Sequence, residues 1–325
     1  MKHSRRRLLQ LLGGATALPF SIRFAPAQTY PSRPVRIIVG FAAGGATDIA
    51  ARLVAQSLSE RLGRPFVTEN RPGAGGNLAT EAVIRSTPDG HTLLAAGVND
   101  AVNATLFGNL PYDFRRDVAP VAGIMTVPNL MIVHPSVPAR SVAEFISYAR
   151  DNPGKINMAS AGNGSGPHMA GELFKIMAGV DITHVPYRGG AAAIPDLLSG
   201  QVQLMFTAPS LTMDHVRAGK LRALAVTTEN PWQGLAELPP VGASLPGYEA
   251  TNWFGIVAPA KTPAEVVEAL NRKIAACLAE PNILAKMAAL GGEALVSSPV
   301  QFGKLIADET EKWGRVVRTA NIKAG

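Results

Sequence analysis

Val35–Arg52 reads VRIIVGFAAGGATDIAAR, and the fold follows from how this stretch is parsed. Val35 to Phe41 is interrupted by a charge only at Arg36 and carries β-branched residues at Val35, Ile37, Ile38 and Val39. That composition suits a strand buried on both faces of a parallel sheet. Ala42–Ala46 is a small, glycine-bearing turn, and Thr47-Asp48 then opens a helical spacing at Ile49, Leu53, Val54, Leu58 and Leu62. A strand that feeds through glycines into a helix aims free backbone N–H groups and the positive end of the helix dipole at one spot. Such a spot binds anions with no basic side chain.

The same rhythm continues on both sides of the chain's midpoint. Pro65–Glu69 reads as a short strand, Asn70–Gly76 (NRPGAGG) as a loop, Asn77–Arg85 as a helix and His91–Ala96 as a strand after the turn Pro88-Asp89-Gly90. This β-α-β-α-β order predicts a doubly wound sheet. Residues 97–120 read as irregular, Met125–His134 as a strand region and Ser141–Arg150 as an amphipathic helix. The theme then restarts: strand Ile156–Ala159, the glycine-rich turn Ser160–Gly166 (SAGNGSG), and helix Pro167–Met177 with proline in its first turn. Ile182–Tyr187 is a strand and Ala191–Leu198 a helix in which Pro195 must fall in the first turn or cut the helix short. Val202–Thr207 and Leu221–Thr227 complete a second sheet around the helix Ser210–Arg217. Four prolines (231, 239, 240 and 246) mark a rigid connection before the strand Trp253–Ala258 and the helices Pro263–Ala279, 282–290 and 299–320. The expectation is α/β with two lobes, each a doubly wound, mostly parallel sheet. Residues 28–124 form the first part of lobe 1, 125–228 form lobe 2, and 229–325 return to lobe 1.

A chain of 325 residues that is 47% hydrophobic is ample for two cores. Its pI near 9.7 invites a nucleic-acid reading, but Lys2, Arg5, Arg6, Arg7 and Arg23 stand in residues 1–27 without a single acid. Those cations leave about +2 of the formal +7 on the remainder, with no basic stripe, so no nucleic-acid partner is expected. The segment itself has a charged start, a mildly apolar stretch and Ala25-Pro26-Ala27, an export signal cleaved after Ala27. Its twin arginine and Leu8-Leu9 point to the Tat route, and an ordinary Sec signal fits the same segment. No other stretch offers the ~18 apolar residues of a membrane span. The expected location is the periplasm.

The chemical motifs are sparse. The first glycine turn lacks the Lys-Ser/Thr of a phosphate loop, and the second has only G-x-G-x-G, so nucleotide binding is disfavoured. Ser165 sits between glycines, but Asn163 stands where a nucleophile elbow needs glycine. His168 at a helix start reads as a packing or hydrogen-bonding residue, and Thr47 and Asp48 as caps that can also meet a ligand. The six histidines show no metal-ligand spacing, and the single cysteine, Cys277, falls on the apolar face of its helix. Neither metal nor cofactor is expected.

The stretches GFAAGGATDIAARLVAQSL, ENRPGAGGN, TPDGHTLL, NLPYDFRRDVAPV, NPGKINMASAGNGSGPHMAGELFK, VDITHVPYRGGAAAIPDLLSGQVQLMF and LPGYEATNWFGIVAPAKTP together make the chain resemble the periplasmic substrate-binding proteins of tripartite tricarboxylate transporters, the Bug receptor family. The resemblance implies a two-lobe, type II-like periplasmic binding protein that closes on a small carboxylated solute and hands it to membrane permease subunits. It implies no enzymatic activity and a monomer. Carried over by position, first-lobe contacts fall on Phe41, Ala43, Gly44, Gly45, Thr47 and Asp48, with the turns around Asn77 and Asn99. Second-lobe contacts fall on Ser160, Ala161, Gly162, Gly164, Ser165 and His168, with Asp196, Thr207 and Ala208 at later strand and helix ends. Ala42-Ala43 and Asn99-Asp100-Ala101-Val102 depart from the family's usual residues, which concentrates ligand choice there. An exported hydrolase using Ser165 or His168, or a module feeding a sensor kinase, are the competing readings.

Overall fold

The computed structural model describes residues 30–324, so the expected export segment and its expected cleavage site lie outside the described residues. The strands in chain order are β1 (Val35–Val39), β2 (Phe66–Asn70), β3 (Thr92–Gly97), β4 (Val118–Val127), β5 (Leu130–Val133) and β6 (Asn157–Ser160). They continue with β7 (Thr183–Pro186), β8 (Leu204–Thr207), β9 (Arg222–Val226), β10 (Asn252–Pro259) and β11 (Glu293–Ala294). The helices are α1 (Ala46–Leu62), α2 (Asn77–Ile84), α3 (Val98–Leu106), α4 (Phe114–Asp117), α5 (Val142–Asp151) and α6 (Gly166–Ala178). After them come α7 (Gly190–Leu198), α8 (Pro209–Arg217), α9 (Ala264–Leu278), α10 (Pro281–Ala289) and α11 (Pro299–Thr319).

Two α/β lobes result. One sheet has six strands in the order β11-β4-β10-β3-β1-β2, the other five in the order β7-β6-β8-β5-β9. The α/β class matches expectation, but both sheets are mixed rather than mostly parallel. β1 pairs in parallel with β2 and β3, while β10 runs antiparallel to β3 and β4. Likewise β6 is parallel to β7 and β8, whereas β5 is antiparallel to β8 and β9. β5 and β10 both arrive from the other sheet, so no crossover helix precedes them to impose a parallel direction.

Local chemistry explains the elements. In α1, Ala50, Ala51, Val54 and Leu58 are fully buried against the sheet, and the helix ends at Gly63, whose φ of 65° is the left-handed cap that glycine supplies. The long α11 buries Phe302, Ile306, Trp313 and Val317 along one face. Its Glu309 carboxylate accepts from the indole N–H groups of both Trp253 and Trp313, which fixes two large core side chains in orientation.

Three expectations are corrected. Residues 97–120 are not irregular: they hold α3, α4 and the start of β4. The polar residues that hid α3 turn inward, because Asp100 accepts from Gly97 N–H and from Thr80 Oγ1, and Asn103 donates to the Gly75 carbonyl and Asn77. Met125–His134 is not one strand region, since Pro128-Asn129 carries the chain from β4 in the first sheet to β5 in the second. Pro195 sits sixth in the nine-residue α7, within the helix rather than in its first turn.

The lobes are joined where the β4–β5 crossing meets the return before β10. Asn129 and Thr227 exchange hydrogen bonds, Asn129 Nδ2 donates to the Ala250 carbonyl, and Asn252 Nδ2 donates to Asn129 Oδ1. Buried polar groups fully paired in this way fix the register of the two crossings.

Candidate ligand-binding site

In five of the β-α units the strand leads into a helix start that faces the other lobe. The cleft between them has a volume of about 610 Å³. It is lined by the first residues of α1 (Ala46, Thr47), α3 (Val98, Asn99), α6 (Gly166, Pro167), α7 (Gly190, Ala191) and α8 (Ser210, Leu211). Five helix N-termini therefore meet in one place. In α1, α7 and α8 the residue before the helix is Gly45, Gly189 or Ala208, none of which has a side-chain oxygen to cap it. Orphan N–H groups are left for whatever enters the cleft.

The first turn is shaped by Asp48 without presenting it. Its carboxylate, buried, accepts from Gly44 N–H (2.9 Å), Arg52 Nε (2.9 Å) and Asn70 Nδ2 (2.8 Å). Burial alone pushes this carboxyl up, but the Arg52 guanidinium, the Gly44 amide and Asn70 outweigh it and hold the group at about 2. Gly44 has a φ of 83°, a left-handed conformation that brings its amide back onto Asp48. The negative charge inside the first turn of α1 is thus neutralised behind the cleft wall.

The second turn is built by hydroxyls. Ser165 caps α6 by accepting from His168 N–H, and its Oγ donates to the Gly162 carbonyl at 2.7 Å. Gly164 N–H donates to His168 Nδ1 at 3.1 Å, and Gly162 N–H donates to Ser160 Oγ at 3.1 Å. The His168 imidazole makes no hydrogen bond to the Ser165 hydroxyl, so these two do not form a nucleophile–base pair.

Of the residues singled out from sequence, Phe41, Gly44, Gly45, Thr47, Asn99, Ala161, Ser165, Thr207 and Ala208 line the cleft. The others stand behind it. Ala43 is in the exposed part of the first turn, and Asn77 accepts from Asn103 Nδ2 and the Tyr112 hydroxyl. Ser160, Gly162, Gly164 and His168 brace the second turn. Asp196 accepts from the Tyr187 hydroxyl at 2.6 Å and steadies the turn before α7; that phenol, pushed up by burial and by Asp196, has a pKa of about 12.

Sequence reasoning missed Gly189, Gly190 and Ala191, although a strand, a glycine pair and a helix recur there as at Gly44-Gly45. It also missed Asn163, Asn129, Asn252 and the apolar wall of Met125, Val127, Phe254, Leu211 and Leu290, which reach the cleft only through tertiary packing. No Lys, Arg, His, Asp or Glu lines the cleft among the described residues. A second groove, about 590 Å³, lies between α8 and the α10–β11 corner, rimmed by Asp214, Arg217 and Glu293 and away from the other helix starts. No cluster of three or more potential metal ligands occurs among the described residues.

Two mixed-sheet α/β lobes facing each other across a cleft walled by helix N-termini define a solute-binding protein. The chain belongs to the tripartite tricarboxylate transporter family of receptors, whose TctC model matches residues 50–322. The protein BugT of Bordetella pertussis is 34% identical over 320 residues, which span 98% of each chain. A solved structure described as R. palustris Rpa4515 with adipate is 39% identical, covering 90% of this chain and 99% of that one, with a TM-score of 0.80. MatC from Rhodopseudomonas palustris with bound malate is 32% identical over 89% of this chain and all of that one, with a TM-score of 0.76. Family and neighbours are binding receptors, and this chain is a receptor, not an enzyme.

Proposed function

We propose that the protein captures a small dicarboxylate in the cleft between its lobes, in the periplasm, and delivers it to the membrane subunits of a tripartite tricarboxylate-type transporter. The observation that carries this reading is the convergence of five helix N-termini, three without a side-chain cap, on a cleft that has no charged side chain. At up to about 1 kcal/mol each, five termini together reach the ~4 kcal/mol of a millimolar complex. Micromolar binding needs roughly another 4 kcal/mol, about three charge-assisted hydrogen bonds to orphan amides and to Thr47, Asn99 or Ser165. Those bonds reach full strength only where bulk water is excluded, which closure of two lobes provides.

Adipate and malate in the related structures set the ligand class to test first. Isothermal titration of the mature protein with adipate, malate and their dimethyl esters should give saturable binding of at least one diacid and none of the esters. Binding of an ester as tightly as its acid would refute an anion site. Residues 1–27 are proposed to direct export, with cleavage leaving Gln28 first; the intact mass of periplasmic protein reads the cleavage site. Replacing Arg5 and Arg6 with Lys should strand the precursor in the cytoplasm if the Tat route is used.

A further inference from the structure

Behind the second turn lies a pair of histidines whose joint role follows from which of their atoms accept hydrogen bonds. The rings of His168 on α6 and His184 on β7 are stacked, centroids 3.8 Å apart and 13° from parallel. His168 is buried, and its Nδ1 accepts from Gly164 N–H at 3.1 Å while its Nε2 faces Glu172 Oε1 at 3.7 Å. A ring nitrogen that accepts cannot carry a proton, so the imidazole is neutral and protonated only at Nε2. His184 Nε2 lies 2.6 Å from Ser160 Oγ. Ser160 Oγ also lies 3.3 Å from the Gly162 carbonyl, but that carbonyl already accepts from Ser165 Oγ (2.7 Å) and Ser165 N–H (3.1 Å), so the Ser160 proton is assigned to the shorter contact, with His184. His184 is then also an acceptor, neutral, with its proton on Nδ1. Ser160 Oγ in turn accepts from Gly162 N–H. Each imidazole thus holds one glycine of the turn: His168 directly at Gly164, His184 through Ser160 at Gly162.

We propose that His168 and His184 are positioning residues for the ligand, a neutral stacked pair that braces the Ser160–Ser165 turn against the cleft, and that protonating either ring releases the turn and weakens binding. This rests on the reading of the cleft as an anion site. A proton on His168 Nδ1 meets the Gly164 N–H head on, and a proton on His184 Nε2 meets the Ser160 hydroxyl, which must then turn its own proton to the Gly162 carbonyl, 3.3 Å away and already accepting twice from Ser165. Two cations at stacking distance would repel, so the pair takes up protons as a coupled unit.

The charged surroundings act differently on the two rings. On α6, Glu172 faces His168 Nε2 at 3.7 Å and is also bonded to Lys175 Nζ at 2.8 Å, so its carboxylate is shared between the two. β6 and β8 bring no titratable side chain, and β7 brings only His184 itself. From α11, Glu309 and Lys312 are paired with each other, and Lys312 also with Glu249. Burial, His168 and Lys175 together push His184 down to about 4, against the pull of Glu172. The His184 ring is therefore neutral at neutral pH, and the bond from Gly164 N–H requires an unprotonated Nδ1 on His168.

The substitutions that test this keep the acceptor and remove the proton. Asparagine places Oδ1 near where histidine has Nδ1, and glutamine places Oε1 near Nε2, so H168N and H184Q retain each acceptor without titrating. Using adipate and malate as probes between pH 7.5 and 4.5, wild-type affinity should fall with acid at least tenfold more steeply than that of the H168N/H184Q double variant. The protonation of the probe is common to both proteins and cancels in this comparison. H168A, which lacks an acceptor for Gly164, should bind at least tenfold more weakly than H168N at pH 7.5. Identical pH profiles for wild type and double variant, with both folded, overturn the proposal. Proton–nitrogen correlation spectra of the histidine side chains give a second reading that needs no ligand. At pH 7.5 they should show His168 protonated at Nε2 and His184 at Nδ1; the opposite tautomers, or a charged ring, overturn the proposal. Failure of both diacids to bind wild type, with the tautomers as stated, would count against the dicarboxylate reading and leave the brace standing.

Discussion

Asn99 Nδ2, in the first turn of α3, donates a hydrogen bond of 3.2 Å to the carbonyl of Gly164 in the turn before α6. One residue belongs to each lobe; Asn99 lines the cleft and Gly164 stands just behind it. This bond couples the first-lobe wall to the turn that the histidine pair braces, so the site has a direct polar link across it. Asn99→Ala should leave the melting temperature within a few degrees of wild type, because the side chain is only half-buried. It should weaken diacid binding by roughly 1 kcal/mol, about fivefold, as expected for one neutral hydrogen bond. Calorimetric titration beside a thermal melt checks both; unchanged affinity would mean the link is absent in the bound form.

The uncapped helix starts predict opposite signs for stability and binding. Ala208 precedes α8 with φ −60° and ψ 144°, a backbone suited to an N-cap. Ala208→Asp should stabilise the fold by about 1 kcal/mol, since its carboxylate would accept from the orphan amides. The same carboxylate occupies and repels the anion site, so diacid affinity should fall at least tenfold. Gly45→Asp has room, with only the Ala42 carbonyl near the new Cβ, at 3.5 Å. It should weaken binding as much while changing stability by a few tenths of a kcal/mol at most. A variant that gains stability and keeps full affinity would show that the α8 terminus does not serve the ligand.

Gly164 tolerates nothing larger. Its φ is 72°, and a Cβ there would come within 2.5 Å of Leu106 Cδ2. Gly164→Asp should therefore destabilise the protein by roughly 1–3 kcal/mol before any ligand is added. Urea unfolding of Gly164→Ala measures this directly; a midpoint equal to wild type would mean the turn adapts.

Asp100 carries a predictable pH signature. It is fully enclosed, and burial raises its pKa to about 6 although Gly97 N–H and Thr80 both bond to it. A carboxyl raised in the folded state binds its proton more tightly there than in the unfolded chain. Its contribution is then complete below the ordinary value near 3.9 and is lost as pH rises through about 6. Asp100→Asn can keep both hydrogen bonds without ionising. The variant should gain stability relative to wild type as pH rises from 4.5 to 7 and hold a constant offset above that. It also removes a negative charge beside Asn99, so diacid affinity at pH 8 should rise. Parallel denaturation curves across pH test the first point, and an offset that does not change with pH would refute it.

Much of this molecule is written in local sequence. Alternating strand and helix signals, with glycines at the turns, were enough to place Gly44-Gly45 and the Ser160–Ser165 turn at helix starts. That works because strand burial, helix periodicity and left-handed glycine turns are properties of a few neighbouring residues. α3 escaped because its Asp100 and Asn103 look like surface residues until their partners, Thr80, Gly75 and Asn77, are known. Sheet direction escaped for a related reason: β5 and β10 are antiparallel because each enters from the opposite lobe, and pairing across that distance is invisible in a linear pattern.

The cleft divides along the same line. Residues that offer backbone to a ligand were legible, since a glycine before a helix announces an unpaired N–H. Which side chains face the ligand and which stand behind it was decided only by packing. Asp48 is turned away by Arg52 and Asn70, and His168 is locked under Gly164 by His184, a residue 16 positions on that sequence spacing gave no reason to pair with it. Asn129 and Asn252, 123 residues apart, become neighbours at the crossing between lobes. Local conformational preference is set by short-range sterics and hydrogen bonding, whereas the orientation of a buried polar group depends on whichever distant partner satisfies it, and that partner exists only once the chain has closed.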